Sequence, residues 1–201
     1  MDPQEVRASW EAVAEAYAEL RDPGGPDADL LTELLERLPP DATVVDVGCG
    51  DGARTLANLT AVETVGVDVA RRPLELARET VPGVTLVQGE MTSLPVADGI
   101  ADAVTAYHAV FHVSSDDHPA VYREFARVLR PGGYVLLTVG SGPSESVRDD
   151  WLDTGERMYW STPGPTRTQS QLRESGFEIE WTRTVDDPLG SSTRFVLARL
   201  V

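Results

Sequence analysis

The chain has 201 residues, 33 of them acidic against 17 basic, for a net charge of −16. That charge repels phosphate backbones and anionic membranes, so neither nucleic acid nor a membrane is an expected partner. The single cysteine, Cys49, excludes an internal disulfide and a cysteine-rich zinc site, and no apolar run is long enough to span a bilayer.

This size predicts a single domain. Every basic residue is arginine. The acidity reads either as a solubility device in an arginine-favouring composition or as adaptation to high salt, and both readings stay open. The first residues, MDPQEVRASWEAVAEAY, are amphipathic and acidic rather than signal-like, which makes a cytoplasmic location the expectation.

Asp2 and Pro3 suit the cap and first turn of a helix. Val6, Trp10, Val13, Tyr17 and Leu20 then recur at spacings of four and three and form one apolar stripe. RDPGGPDAD breaks that helix, and LLTELLERL is a second one, stopped by Pro39 and Pro40. TVVDV is a short buried strand running into a glycine loop. A helix over ARTLANL, the strand TVGVD, the helix RRPLELARETV and the strand VTLVQ are expected next. After the loop EMTSLPVADG comes a fourth strand within IADAVTAYHAV, then a helix from Asp116 to Leu129, stopped by RPGG before the strand YVLLTVG. Strands alternating with helices predict a parallel sheet covered on both faces. The chain ends differently: a capped helix, TQSQLRESG, precedes FEIEWTRTV and STRFVLARLV, which have no helix between them and should pair as an antiparallel edge hairpin.

VVDVGCGDG places glycines at 48, 50 and 52, directly after the first strand. Ligands of open α/β sheets bind at the carboxyl ends of the strands, and glycine lets a ligand approach the backbone closely. The amides of the loop, and of the helix expected after it, suit an anionic group. Gly48, Gly50 and Ala53 satisfy the dinucleotide spacing, so an NAD-type oxidoreductase is one reading. Asp46 argues against it, because a carboxylate there repels a pyrophosphate and asks for a cationic or donor-bearing ligand. S-adenosylmethionine, with its ammonium and sulfonium, meets that demand; the plainer reading makes Asp46 a cap on the loop amides. Asp68 ends the second strand twenty positions after Gly48, where two acceptor oxygens match a vicinal diol; its plainer role is to cap the helix at Arg71.

With these motifs in order, the chain resembles the class I S-adenosylmethionine-dependent methyltransferases, the small ubiquinone/menaquinone-biosynthesis type above all. VVDVGCGDG resembles the first motif of that family and GVDVA its ribose motif. QGEMTSLPVADGIADAV resembles its adenine loop and fourth strand, REFARVLRPGGYVLLT its fifth-strand approach, and WEAVAEAYAEL its lid helix. The resemblance implies a Rossmann-like seven-stranded mixed sheet with helices on both faces, an antiparallel last strand and an N-terminal helical lid. It implies a lid over residues 1–40, a cofactor-binding core over 41–141, an acceptor-pocket segment over 142–175 and a hairpin over 176–201. By the same resemblance Asp46, Gly48, Cys49 and Gly50 surround the methionine part of S-adenosyl-L-methionine. Asp68 holds the ribose, Val69 lies beside the adenine, and Glu90 and Met91 read its edge, although the family more often has aspartate at 90. Tyr107 and His108 fall beside the methyl donor, and Tyr17 matches the lid tyrosine.

His108 is the expected base touching substrate, His112 a loop-ordering residue, and His118 a solvated residue in the first turn of its helix. Cys49 has no basic partner in its pattern and reads as structural. The histidine spacing matches no metal set, so no metal is expected. His112, Tyr159, Trp160 and Arg167 are candidates for the acceptor pocket, the two aromatics Tyr159 and Trp160 being equally readable as core. The expected function is methyl transfer to a small molecule by a monomer or homodimer. The alternative is a non-catalytic subunit that binds the same cofactor.

Overall fold

A computed structural model describes residues 1–20, 24–186 and 192–201. The break expected at residues 21–29, and the turn of the terminal hairpin, fall partly outside them.

Helix α1 (Pro3–Glu19) starts on a reciprocal cap: the Asp2 carboxylate accepts the Glu5 amide, and the Glu5 carboxylate accepts the Asp2 amide. Helix α2 (Ala28–Leu35) buries Leu30, Leu31 and Leu34. Then come β1 (Thr43–Val47), β2 (Glu63–Asp68), α3 (Arg71–Thr80), β3 (Thr85–Gln88), β4 (Ala101–Ala106), α4 (His118–Val128) and β5 (Leu129–Val139). The chain continues through β6 (Pro143–Arg148), β7 (Met158–Pro163), α5 (Pro165–Glu174), β8 (Phe177–Asp186) and β9 (Ser192–Leu200).

The main sheet has seven strands in the order β3-β2-β1-β4-β5-β9-β8, with β9 antiparallel to both neighbours. The mixed sheet and terminal hairpin follow the sequence expectation. Strand β1 pairs in parallel with β2 on one side and β4 on the other, so the strand order reverses there and opens a crevice at the carboxyl ends of β1 and β4. The strands alternate between two cores. Val45, Val47, Val104, Val135 and Leu137 face α4, whose Val121, Tyr122, Phe125 and Val128 recur at helical spacing. Val44, Ala103, Leu136, Phe195 and Leu197 face α2. Both faces of the sheet are therefore dry, as the near-continuous apolar strands require. Truncating fully buried Phe125 to alanine costs about 3–5 kcal/mol by this packing.

Several elements differ from expectation. ARTLANL forms only a 3₁₀ turn at Leu56–Asn58. The side chains just ahead of it are drawn into the interior, Arg54 to Asp27 and Thr55 to Asp46, which replaces a regular first turn. The RPGG stretch belongs to β5, with a register shift opposite Ala101 and Ala103. His118 is buried rather than solvated, its Nε2 donating to the Val113 carbonyl at 3.1 Å. The irregular stretch after β5 holds a hairpin, β6 with β7, that no alternation announced. Its tip carries Asp150, Leu152 and Asp153 at positive φ (51°, 60° and 56°), a costly backbone for non-glycine residues. Trp151 from this tip packs on Trp10 and Tyr17 of α1, which offsets that cost. Among the described residues, no helix is long and apolar enough to cross a membrane.

Candidate active site

The crevice at the end of β1 contains a cavity of about 300 Å³. Gly48 and Gly50 line it at φ 74° and 56°. A Cβ on Gly48 would lie 2.4 Å from the Ala109 Cβ, whereas one on Gly50 would meet nothing within 4 Å. Gly48 is thus required by packing and by φ, and Gly50 leaves open space above the loop. The loop amides are committed within the protein. Gly48 and Cys49 donate to the Val67 carbonyl at 2.8 and 3.1 Å, Gly50 donates to Asp68 Oδ2 at 2.9 Å, and Gly52 donates to the Cys49 carbonyl at 3.0 Å. With no α-helix following, neither these amides nor a helix dipole is available for an anion, contrary to the sequence expectation.

Asp68 stands at the carboxyl end of β2 in the cavity wall, 8% exposed. Its Oδ1 accepts the Ala70 amide and its Oδ2 the Gly50 amide, both at 2.9 Å, so the helix-capping and ligand-facing readings coexist. Each oxygen keeps a lone pair for a ligand hydroxyl. Burial raises this carboxyl to about 6, against the pull of those amides. Asp46 differs. It lies beneath the floor rather than in the wall, with Oδ1 accepting the Thr105 hydroxyl at 2.6 Å and Oδ2 accepting the Thr55 hydroxyl. The donors its position demands are these threonines. Burial raises Asp46 to about 6, and the nearby charge of Asp68 adds to the effect.

Val6 and Trp10 of α1 roof the cavity. Helix α3 is preceded by Ala70, which has no side-chain cap to offer, and Glu11 of α1 supplies one. The two Glu11 carboxylate oxygens accept the Arg71 and Arg72 amides at 2.7 and 2.8 Å. Arg72 also pairs with Glu15 at 2.5 Å. A carboxylate on a helix N-terminus is favourable, so these contacts hold the roof on the floor. Trp10 sits edge-on to Tyr17, His112 and Trp151, with centroids 5.0, 5.0 and 5.2 Å away, and Trp151 meets Trp160 at 5.4 Å.

His108 follows β4 at φ 52°, and its amide donates to the Thr138 hydroxyl at 2.9 Å. Its ring borders the cavity on one side and a second cavity of about 260 Å³ on the other. His108 Nε2 lies 3.9 Å from Asp27 Oδ2, and Asp27 is gripped by Arg54 at 2.6 and 2.8 Å. Burial works to raise the Asp27 carboxyl, but His108 and Arg54 together hold it below its ordinary value. His112 lines the cavity and donates Nδ1–H to the Tyr159 carbonyl at 2.8 Å, leaving Nε2 as the lone-pair nitrogen. Its burial lowers it to about 4, so it is neutral at physiological pH.

Val69, Glu90, Met91 and Tyr159 also line the cavity. Tyr17 and Trp160 stand behind its wall in the aromatic cluster. Tyr107 is not beside the cavity: it turns into the α2-side core against Phe195, its hydroxyl donating to the Asp27 carbonyl at 3.2 Å. The next residue, His108, past the end of β4 and at positive φ, is the one that lines the crevice. Cys49 packs with Leu56, Leu74 and Ala77, and burial pushes its thiol far up, as suits a structural residue. Arg167 is on the surface, pairing with Glu174 at 3.3 Å, and is not in either cavity wall. Sequence reasoning missed Asp27, Arg54, Thr55, Thr105 and Glu11. Only the reciprocal needs of Asp46 and of an uncapped α3 could have signalled the last three. Among the described residues, no group of three or more His, Cys, Asp or Glu could hold a metal.

Comparison with known proteins agrees with this geometry. Residues 45–137 match the methyltransferase domain family. The chain is 33% identical over 163 residues to YcgJ, an uncharacterized methyltransferase of Bacillus subtilis, covering 78% of this chain and 60% of that one. It is 34% identical over 119 residues to the demethylmenaquinone methyltransferase of Bacillus licheniformis, covering 56% and 50%. The chain spans about half the length of the curated relatives it matches. A solved S-adenosylmethionine-dependent methyltransferase from Methanosarcina mazei shares the fold, with a TM-score of 0.73 at 19% identity over 84% of this chain and 97% of that one. The sheet order, the glycine loop and the acid ending β2 thus accompany a match of residues 45–137 to the methyltransferase domain family and a fold shared with a solved S-adenosylmethionine-dependent methyltransferase.

Proposed function

We propose that the chain catalyses methyl transfer from S-adenosylmethionine to a small-molecule acceptor. The observation that carries this reading is the roofed cavity at the β1–β4 switch point, with Gly50 open beneath it and the buried Asp68 carboxylate in its wall. The residues present fit the cofactor: Asp68 offers two acceptor oxygens to a vicinal diol, and Val69 and Met91 offer apolar surface to a planar base. S-adenosylmethionine, when bound, supplies a methyl group on a sulfonium, which is already a good leaving group.

The chain then has little covalent work to do. Its residues must align the acceptor and exclude water. Val6 and Trp10 of the roof exclude water, and Glu11 holds the roof shut. His108, at the meeting of the two cavities, accepts the proton of an acceptor that must lose one. Asp27, fixed by Arg54, orients the His108 ring and favours its protonated form.

Calorimetric titration with S-adenosylmethionine, its demethylated product and NAD tests the cofactor, and label transfer into a metabolite library tests catalysis. Binding of NAD without binding of the methionine cofactors refutes the reading. Tight cofactor binding with no transfer to any acceptor favours the non-catalytic subunit.

A further inference from the structure

We infer that the second cavity is the seat of the acceptor and that Arg194 anchors a carboxylate there. The inference rests on the first cavity holding the methyl donor. The second cavity, about 260 Å³, lies beyond the ends of β4 and β5, where the terminal hairpin crosses them. It shares His108 with the first cavity, so a molecule in it lies directly against the proposed base.

Its lining is mixed. Phe111 offers an apolar wall to the body of a small molecule. Ser141, Thr184 and Thr193 offer hydroxyls, none with a hydrogen-bond partner among the described residues. Arg194 supplies the charge. In this acidic chain most arginines are engaged by carboxylates, by a ring face or by a carbonyl. Arg78, Arg123, Arg173 and Arg194 have no such partner among the described residues. The first three are exposed, whereas Arg194 is half-buried and lines a cavity. An arginine held at a cavity wall without a counter-charge among the described residues invites an anion, and its planar fork matches a carboxylate in two parallel hydrogen bonds. A single guanidinium with neutral hydroxyls balances one negative charge. A phosphate dianion would leave excess negative charge in a protein already at −16. The acceptor is therefore a small monocarboxylate, held by its acid group with its nucleophilic atom turned toward His108.

The test uses benzoate, its neutral amide benzamide, and inorganic phosphate as probes. The protein is uniformly ¹⁵N-labelled; the Arg194 Nε–H resonance is assigned by its loss in Arg194→Gln, and the backbone amides lining the cavity report the Kd of every variant. Saturable movement of that resonance with benzoate, none with benzamide, and a Kd raised roughly tenfold or more in Arg194→Gln are expected. Arg194→Lys, which keeps the charge but loses the fork, should bind at an intermediate level. Equal benzoate binding by Arg194→Gln, equal binding of benzamide, or no binding at all overturns the inference. Phosphate binding more tightly than benzoate overturns the carboxylate assignment. Calorimetry with S-adenosylhomocysteine runs in parallel and reports on the first cavity alone. Failure there refutes the cofactor reading, while the benzoate result still decides the anion site.

Discussion

Asp46→Asn should make the protein more stable at alkaline pH, and the gain should shrink on acidification. The Asp46 carboxyl is raised from its ordinary value of 3.8 to about 6 by burial. Each unit is worth about 1.36 kcal/mol, so a shift of about two units means the charged form costs the native state about 3 kcal/mol. The sign follows from proton binding. The native state holds this proton more tightly than the unfolded state, so its contribution is fully present below 3.8 and is lost as pH rises through about 6. Asparagine carries no charge to desolvate. Its amide can still accept one of the Thr55 and Thr105 hydroxyl protons and donate to the other hydroxyl oxygen. Urea unfolding at pH 5.0, 6.5 and 8.0 should therefore show the variant gaining about 3 kcal/mol at pH 8 and about half of that at pH 5. A difference that stays constant with pH, or grows on acidification, refutes the argument. Because Asp46 lies beneath the floor, cofactor affinity should fall far less in this variant than in Asp68→Ala.

The remaining predictions concern the site and the surface. Asp68→Ala should weaken cofactor binding more than Glu90→Ala, since Asp68 is fixed by two amides and Glu90 is exposed on the rim; calorimetry on both variants checks it. Wild-type affinity should also decline as pH falls below about 6, where Asp68 takes up a proton and loses acceptor capacity. Glu11→Gln leaves at least one of the two α3 amides without a good acceptor. It should lower stability by about 0.5–2 kcal/mol and speed cofactor release, read in stopped flow from the fluorescence of Trp10 and its neighbours. Once an acceptor is known, His108→Ala should cut turnover by roughly 10²–10⁴-fold with little change in cofactor affinity, and survival of turnover within a few-fold would remove its role as base. Raising KCl from dilute buffer to molar levels should raise the melting temperature throughout if the acidity is salt adaptation. A plateau by physiological ionic strength would support the compositional reading.

The sequence by itself determined the order of the main-sheet strands and of most helices, and the position of the crevice. Apolar runs such as TVVDV and TVGVD can be satisfied only inside a covered sheet, and the glycines after β1 tolerate a backbone that other residues resist. Asp68 was legible for the same local reason: it ends a strand at a fixed offset from the loop. What surrounds each acid was decided by tertiary structure alone. Asp46 was read as facing a ligand, yet its partners are Thr55 and Thr105, the second of them 59 positions away on a neighbouring strand. Glu11 caps α3 across 60 positions, and Asp27, at the start of α2, meets His108 and the Arg54 of the loop after β1 only because α2 packs on the sheet. The β6–β7 hairpin shows no alternation because β6 is exposed along its whole length and β7 is at least half-buried along its whole length, so neither strand has one wet and one dry face. Periodicity reports which face of an element is buried. It does not report which polar group from a distant element arrives to satisfy a buried charge, because that match is made only when the sheet closes and desolvation makes an unpartnered carboxylate costly.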